Sequence, residues 1–385
     1  MTTATRISAA DATVTVISTT DIVTDWAARY FGDWWNATSV TPESICTGPI
    51  VSAEVDPDRY AHMATKLAAD PHEETVYAKS ATLLAKDDAG SIRAVSPGEN
   101  LAYLSEPDSE RLTITGCDAE AVAVATARLA REAVRGVLLR SGWTLLHASA
   151  VVRDGRAVLT FGSKGSGKTT TALLLAKRKG WELLANDRIF VRPDNTGGVQ
   201  VLPWPSAAAL GLGLLDALGL YDVVRHRMNA GEKLHPTQDQ RVTEALVDGS
   251  RTPLWSPSGK ELKAQIFPDQ FSAWFGLDLA TRGRAAMLLF PSMFPVALPA
   301  LADEERALAE EDFMSGATED RYPDIFRLAR VDGGGRAEDR TRVSGLLAEL
   351  PHHSIILGHD TNAAADFLGK LTDTAWPSDP HGRSA

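Results

Sequence analysis

The sequence predicts an α/β protein, a core built on a parallel or mixed sheet and preceded by a smaller α+β unit. Three observations predict it. An apolar strand, a glycine loop and an apolar helix follow one another from Val158 to Ala176. A second apolar strand, Trp181 to Ala185, comes directly after that helix, the pattern of a β–α–β crossover between parallel strands. Short strand-like runs separated by turn-rich links recur through the first 117 residues instead.

The totals bound the answer. The chain has 385 residues, enough for more than one domain, with 44% hydrophobic and 23% charged residues. A net charge of −11 argues against a nucleic-acid surface. No apolar run reaches the length of a membrane span, so neither nucleic acid nor membrane is expected as a partner, and the cytoplasm is the expected compartment. Cys46 and Cys117 are the only cysteines, which excludes a disulfide framework and predicts two buried free thiols.

Taken in order, Thr13–Thr19 alternates like a half-buried strand, and a helix follows with Ile22, Trp26, Ala27, Tyr30 and Trp34 at helical spacing. The aromatic run Tyr30–Trp35 suits a helix end packed into a small core better than a ligand-stacking surface. Ile50–Val55 predicts a strand and Pro57–Ala69 a helix. Strand-like pieces follow at Thr75–Leu84, Ser91–Val95, Leu101–Leu104 and Leu112–Thr115. This sets the first domain at residues 1–117, a candidate module for acceptor recognition, and the second at 118–385. Asp118–Leu139 predicts the longest helix, with Val122, Ala125, Leu129, Ala133 and Val137 on one stripe. Trp143–Val152 reads as one strand, Asp154-Gly155 as a tight turn, and Arg156–Phe161 as the strand that feeds the glycine loop. The helix that follows is expected from Lys168 to Lys179, closed by Gly180. Further on, Ala207–Leu218 predicts a helix and Thr252–Gly259 a mobile loop. Ala285–Phe290 and Ser354–Leu357 predict strands, Thr361–Leu371 a closing helix, and the residues beyond Trp376 a frayed tail.

The glycine loop carries chemistry. Gly162, Gly167, Lys168 and Thr169 match the spacing G-x-x-x-x-G-K-[ST] of a phosphate-binding loop. Glycines let the backbone curl until several N–H groups face one anion, and the following helix adds its positive end. Gly162, Ser163, Lys164, Gly165, Ser166, Gly167, Lys168, Thr169 and Thr170 are therefore the expected contacts of a nucleoside triphosphate, ATP, bound with Mg²⁺. Thr169 supplies a metal-ligand hydroxyl.

The crossover adds a carboxylate. Parallel strands point the same way, so Gly162 and Asp187 are expected at one sheet edge, where ligands of open α/β sheets sit. There Asp187 holds the metal or accepts a hydroxyl proton, unless it merely caps the next segment. His147, on the face of its strand shared with Leu145 and Ser149, is a candidate acid–base group, although a lone histidine there is more often a core residue. Lys164 and Arg188 are cations available to a transferring phosphoryl group. Arg251, Lys260, Lys263, Arg282 and Arg284 read individually as solvated charge, and His352-His353 with His359-Asp360 lack a third metal ligand.

Leu146-His-Ala-Ser-Ala150, Gly162-Ser-Lys-Gly-Ser-Gly-Lys-Thr169 and Leu184-Ala-Asn-Asp-Arg188 together resemble the core of the HPr kinase/phosphorylase group and its relatives. The resemblance covers residues 143 to 192. It implies a phosphoenolpyruvate-carboxykinase-like P-loop kinase fold and transfer of a phosphoryl group to a hydroxyl. The acceptor would be a small molecule, a peptide or a carrier protein. It further implies Lys168 on the phosphates, Thr169 on the metal, His147 in the active site and Asp187 as proton acceptor. The group carries two adjacent acids where this chain has Asn186-Asp187, and its downstream acidic ligand and glycine-rich signature have no counterpart here. A non-catalytic ATP-binding regulator and an NTPase without an acceptor are the alternatives; the number of copies in an assembly is open.

Overall fold

A computed structural model describes residues 2–32, 34–42, 47–314, 323–331 and 333–376. The chain forms two compact units. One comprises Met1–Leu146, Phe190–Arg192 and Phe313–Val343; the other comprises His147–Ile189, Pro193–Asp312 and Ser344–Ala385. Both contain mixed sheets and helices, so the α/β class holds at that level.

In the first unit, β1 (Thr3–Ala9), β2 (Ala12–Ser18), β3 (Thr38–Val40), β4 (Ile50–Val55), β5 (Glu73–Tyr77), β6 (Ser80–Lys86), β7 (Ile92–Ser96), β8 (Leu101–Glu106) and β9 (Arg111–Gly116) make one sheet. Their order is β3-β1-β2-β4-β9-β8-β7-β6-β5. Thr75–Leu84 is a hairpin rather than one strand. Ala78 and Lys79 both take positive φ, the twist of a two-residue hairpin turn, without the glycine that would signal it. The helices are α1 (Asp21–Phe31), α2 (Pro57–Ala69) and α3 (Ala119–Arg140). The Asp118 carboxylate accepts the Ala121 N–H and starts α3, whose Val122, Ala125, Leu129 and Ala133 are buried. The first unit thus runs beyond residue 117 and takes in α3. Phe31 stacks on Trp35 with ring centroids 5.4 Å apart, and both are buried, so the aromatic run is core.

The predicted strand Trp143–Val152 is broken. β10 (Thr144–Leu146) belongs to the first unit and β11 (Ser149–Arg153) to the second. His147 and Ala148 lie in neither, and the His147 N–H bonds the Asp312 carbonyl at 2.9 Å, beside an antiparallel bridge of Leu146 with Phe313. In the second unit β11 turns through Asp154-Gly155, both at positive φ, into β12 (Arg156–Thr160). The helix α4 (Lys168–Ala176) is shorter than expected: Lys177 and Arg178 close it, and Gly180 carries the chain on at φ 82°. β13 (Glu182–Ala185) then pairs with β11, not with β12. Both β12 and β13 run antiparallel to β11, so they are parallel to each other with one strand between them. The hairpin occupies the place beside β12 that a direct crossover would have filled. α4 packs on β11 and β13, burying Leu173 and Leu175; each such side chain stabilises by about 1.5–3 kcal/mol.

Beyond β14 (Ile189–Pro193) and β15 (Val199–Pro203), the expected helix at Ala207–Leu218 is instead β16 (Ala208–Leu210), Gly211 and a short α5 (Leu212–Ala217). α6 (Tyr221–Asn229) and α7 (Gln240–Asp248) follow, and the segment read as a loop begins a hairpin of β17 (Leu254–Trp255) with β18 (Glu261–Leu262). After β19 (Ala264–Ile266) and α8 (Pro268–Ala273), β20 (Gly283–Met293) runs through Pro291. It pairs in parallel with β12 along its first half and with β22 (His352–Leu357) along its second. β21 (Ala300–Leu301) pairs with β22; α9 (Ala337–Ala348) precedes β22, and α10 (Thr361–Ala375) packs on α4. The predicted frayed tail and Cys46 lie outside the described residues, and Cys117 is a free thiol, half-buried rather than buried. Among the described residues no helix is long and apolar enough to cross a membrane.

Candidate functional site

Three chain directions set the site. β12 and β13 end at one sheet edge, and β11 begins there because it runs the opposite way. Ser149 stands opposite Thr160, and Ala150 opposite Ala185, so the residues just outside these positions gather at that edge. They are His147, Gly162 and Asp187. The His147 Nε2 lies 3.2 Å from Asp187 Oδ1. Arg188 approaches from the other side, its Nε 3.4 Å from Asp187 Oδ2, with its guanidinium 5.7 Å from the Trp204 ring centroid.

The glycine loop requires its glycines at two positions in particular. Gly162 has φ 144°, and a Cβ there would stand 2.5 Å from Ser166 Oγ. Gly167 has φ 108°, and a Cβ there would meet Met293 Cγ and Sδ at 2.9 Å. Lys168 opens α4 and is only 8% exposed, and its Nζ donates to the carbonyls of Gly162 at 2.6 Å and Ser163 at 3.2 Å. Thr169 Oγ1 donates to the Asn186 carbonyl at 3.4 Å, which ties the start of α4 to the end of β13. Ser163, Lys164 and Gly165 are exposed; Ser166 and Thr170 are half-buried.

Asp187 carries the electrostatic signature of the site. Crowding by protein pulls its carboxyl upward, but the His147 hydrogen bond, Arg188 and Lys168 together outweigh this and lower it to about 2. It is a carboxylate at every physiological pH. Asn186, beside it, is buried, and its Oδ1 has no hydrogen-bond partner; the hydroxyl of Ser166 is likewise buried without one.

The cations read as solvated charge sit at or near the surface, most of them in ion pairs. Arg251 pairs with Asp216 and Asp222, Lys263 with Glu261, and Arg284 with Asp194, while Arg282 is exposed. His352 lies 3.8 Å from Glu305. Among the described residues no three histidine, cysteine or acidic side chains cluster as a metal cage. The oxygen donors available beside the loop, the Thr169 hydroxyl and the Asp187 carboxylate, fit a hard cation that keeps water and phosphate oxygens as its other ligands.

Sequence reasoning missed Asp312 and Arg306. Asp312 is buried and its carbonyl receives the His147 N–H; Arg306 donates to its carboxylate. Neither lies in a periodic element or at motif spacing, so no local signal marks them.

A search of curated proteins finds no match to the chain. The family model described as SynChlorMet cassette protein ScmC matches residues 117–218. Over that stretch, little more than a quarter of the chain, this protein is similar to that family, and the stretch holds His147, the whole glycine loop, Asp187 and Arg188.

Proposed function

We propose that this protein is an ATP- and Mg²⁺-dependent kinase that transfers the γ-phosphoryl group to a hydroxyl, the P-loop kinase core being its second unit. The observation that carries the reading is the 3.2 Å contact of His147 with Asp187 at the sheet edge shared with the glycine loop. Phosphoryl transfer asks little covalent chemistry of a protein; it needs phosphates held, charge neutralised and a hydroxyl oriented.

Each need has a residue. The loop N–H groups, the N-terminal end of α4 and Lys168 bind the phosphates. Thr169 and Asp187 would hold Mg²⁺, which would neutralise phosphate charge when bound. Asp187, ionised, accepts a hydrogen bond from the incoming hydroxyl and takes its proton late, as the new P–O bond acidifies the oxygen; the old P–O bond breaks with its electrons going to ADP. His147 donates from Nε2 and fixes the carboxylate, and Arg188 offsets charge on the opposite oxygen.

A second reading has one observation in its favour. Asn186 contributes a neutral amide where a further carboxylate would strengthen metal binding, which suits a regulator that holds ATP without turning it over. Incubation with γ-labelled ATP, Mg²⁺ and serine peptides, small alcohols or carrier proteins separates the readings. Label on an acceptor supports the kinase; free phosphate alone supports an NTPase; bound, unaltered ATP supports the regulator.

A further inference from the structure

His147 owes its place to a segment far along the chain. Its N–H donates to the Asp312 carbonyl at 2.9 Å, at the end of a single 3₁₀ turn, Glu310–Asp312. Such a turn has no ladder of its own to hold it. Two things hold it: the antiparallel bridge of Leu146 with Phe313, whose other hydrogen bond runs from the Met314 N–H to the Leu145 carbonyl at 3.1 Å, and the Asp312 side chain, only 3% exposed. One Asp312 oxygen accepts the Ala309 N–H at 2.9 Å, and Arg306 Nη2 donates to both oxygens, at 2.9 and 3.0 Å. A buried carboxylate of this kind is stable only while its cation stays in place.

Arg306 is itself fixed. Its backbone N–H donates to Ser354 Oγ at 2.6 Å, and its guanidinium lies 4.8 Å from the Phe290 ring centroid. Phe290 stacks on Phe161, the residue before Gly162, with centroids 5.8 Å apart. A third acid, the exposed Glu311, lies 3.5 Å from the same nitrogen and adds little in water.

We propose that Arg306 and Asp312 are a positioning pair: anchored on the ring beside the glycine loop, they set where His147 stands and so how it holds Asp187. The proposal rests on the kinase reading only for its catalytic consequence, since the geometry it describes exists without a reaction. Neither residue touches a reacting atom. A lysine in place of Arg306 keeps the charge but lacks the planar group that lies on Phe290 and the fixed fork that meets a carboxylate.

The test uses the full chain carrying Arg306→Lys or Asp312→Asn, with the His147 ring followed by nitrogen-resolved NMR and assigned through His147→Gln. The His147 signal is expected to shift from its wild-type position toward the one it takes in Asp187→Asn. In the double variant Arg306→Lys/Asp187→Asn the arginine change should add nothing, because the contact it acts through is already gone. ATP affinity by calorimetry should stay within twofold, while kcat for transfer falls about tenfold or more with KM for ATP unchanged. Should Arg306→Lys fail to fold, Asp312→Asn, close to isosteric and still an acceptor for the Ala309 N–H, carries the same measurement. A folded variant whose His147 signal stays in place overturns the proposal. Absence of transfer by the unmodified protein overturns the kinase reading instead and leaves the NMR result to decide this one.

Discussion

The Nε2 of His147 lies 3.2 Å from Oδ1 of Asp187, one residue standing just before β11 and the other just after β13. The contact exists because β11 enters the sheet at the edge where β13 leaves it, and because no strand separates the two. It joins an imidazole to a carboxylate beside the glycine loop.

Removing the carboxylate tests its role first. Asp187→Asn should abolish label transfer to an acceptor, by about 10²-fold or more, while ATP binding measured by calorimetry persists. Unaltered turnover would remove Asp187 from the reaction.

Lys168 should behave differently. Its Nζ bonds two loop carbonyls, so Lys168→Ala removes a clasp on the loop and, on the kinase reading, a phosphate partner as well. Weaker ATP binding, by about tenfold or more, should accompany the loss of transfer, since charge-assisted hydrogen bonds contribute about 1.5–3 kcal/mol. A variant that binds ATP as tightly as the wild type contradicts the assignment.

Gly167 offers a backbone test. At φ 108° an alanine is strained wherever its side chain goes, and Met293 must also move. Gly167→Ala should cost about 1–3 kcal/mol in urea unfolding and weaken nucleotide binding. Ser163→Ala, at an exposed loop position, should change stability by about 0.5 kcal/mol or less.

Acid should reveal the low carboxyl. Asp187 titrates near 2 in the folded chain, below its ordinary 3.8, so it binds protons more weakly folded than unfolded. Its contribution to stability is therefore complete above about pH 4 and lost as pH falls through about 2. The stability difference between wild type and Asp187→Asn, from urea unfolding, should shrink across that window. His147→Ala takes away the hydrogen bond that lowers the carboxyl most and should flatten the effect.

Much of the local structure was legible. The stripe Val122, Ala125, Leu129, Ala133 gave α3 to within a residue at each end, because an apolar helix face is written at fixed spacing. The glycine loop was legible for the same reason. The break at His147 was not, since Trp143–Val152 is apolar enough for one strand, and the backbone partners found at its first half, Gly334, Met314 and Asp312, lie far along the chain. The Ala78-Lys79 turn was hidden as well, because its positive φ angles fall on residues that seldom adopt them.

By itself the sequence determined the strand–loop–helix around Gly162–Thr169, the parallel sense of β12 and β13, and hence the shared edge of Gly162 and Asp187. Spacing and chirality act over neighbouring residues, and both are readable without coordinates. Only the tertiary structure decided that β11 lies between those strands, that His147 therefore reaches Asp187, and that Asp312 and Arg306 stand behind it. Those contacts join residues whose separation along the chain carries no period. They arise from which strand a hairpin places beside which, and from a buried carboxylate that has to find its cation.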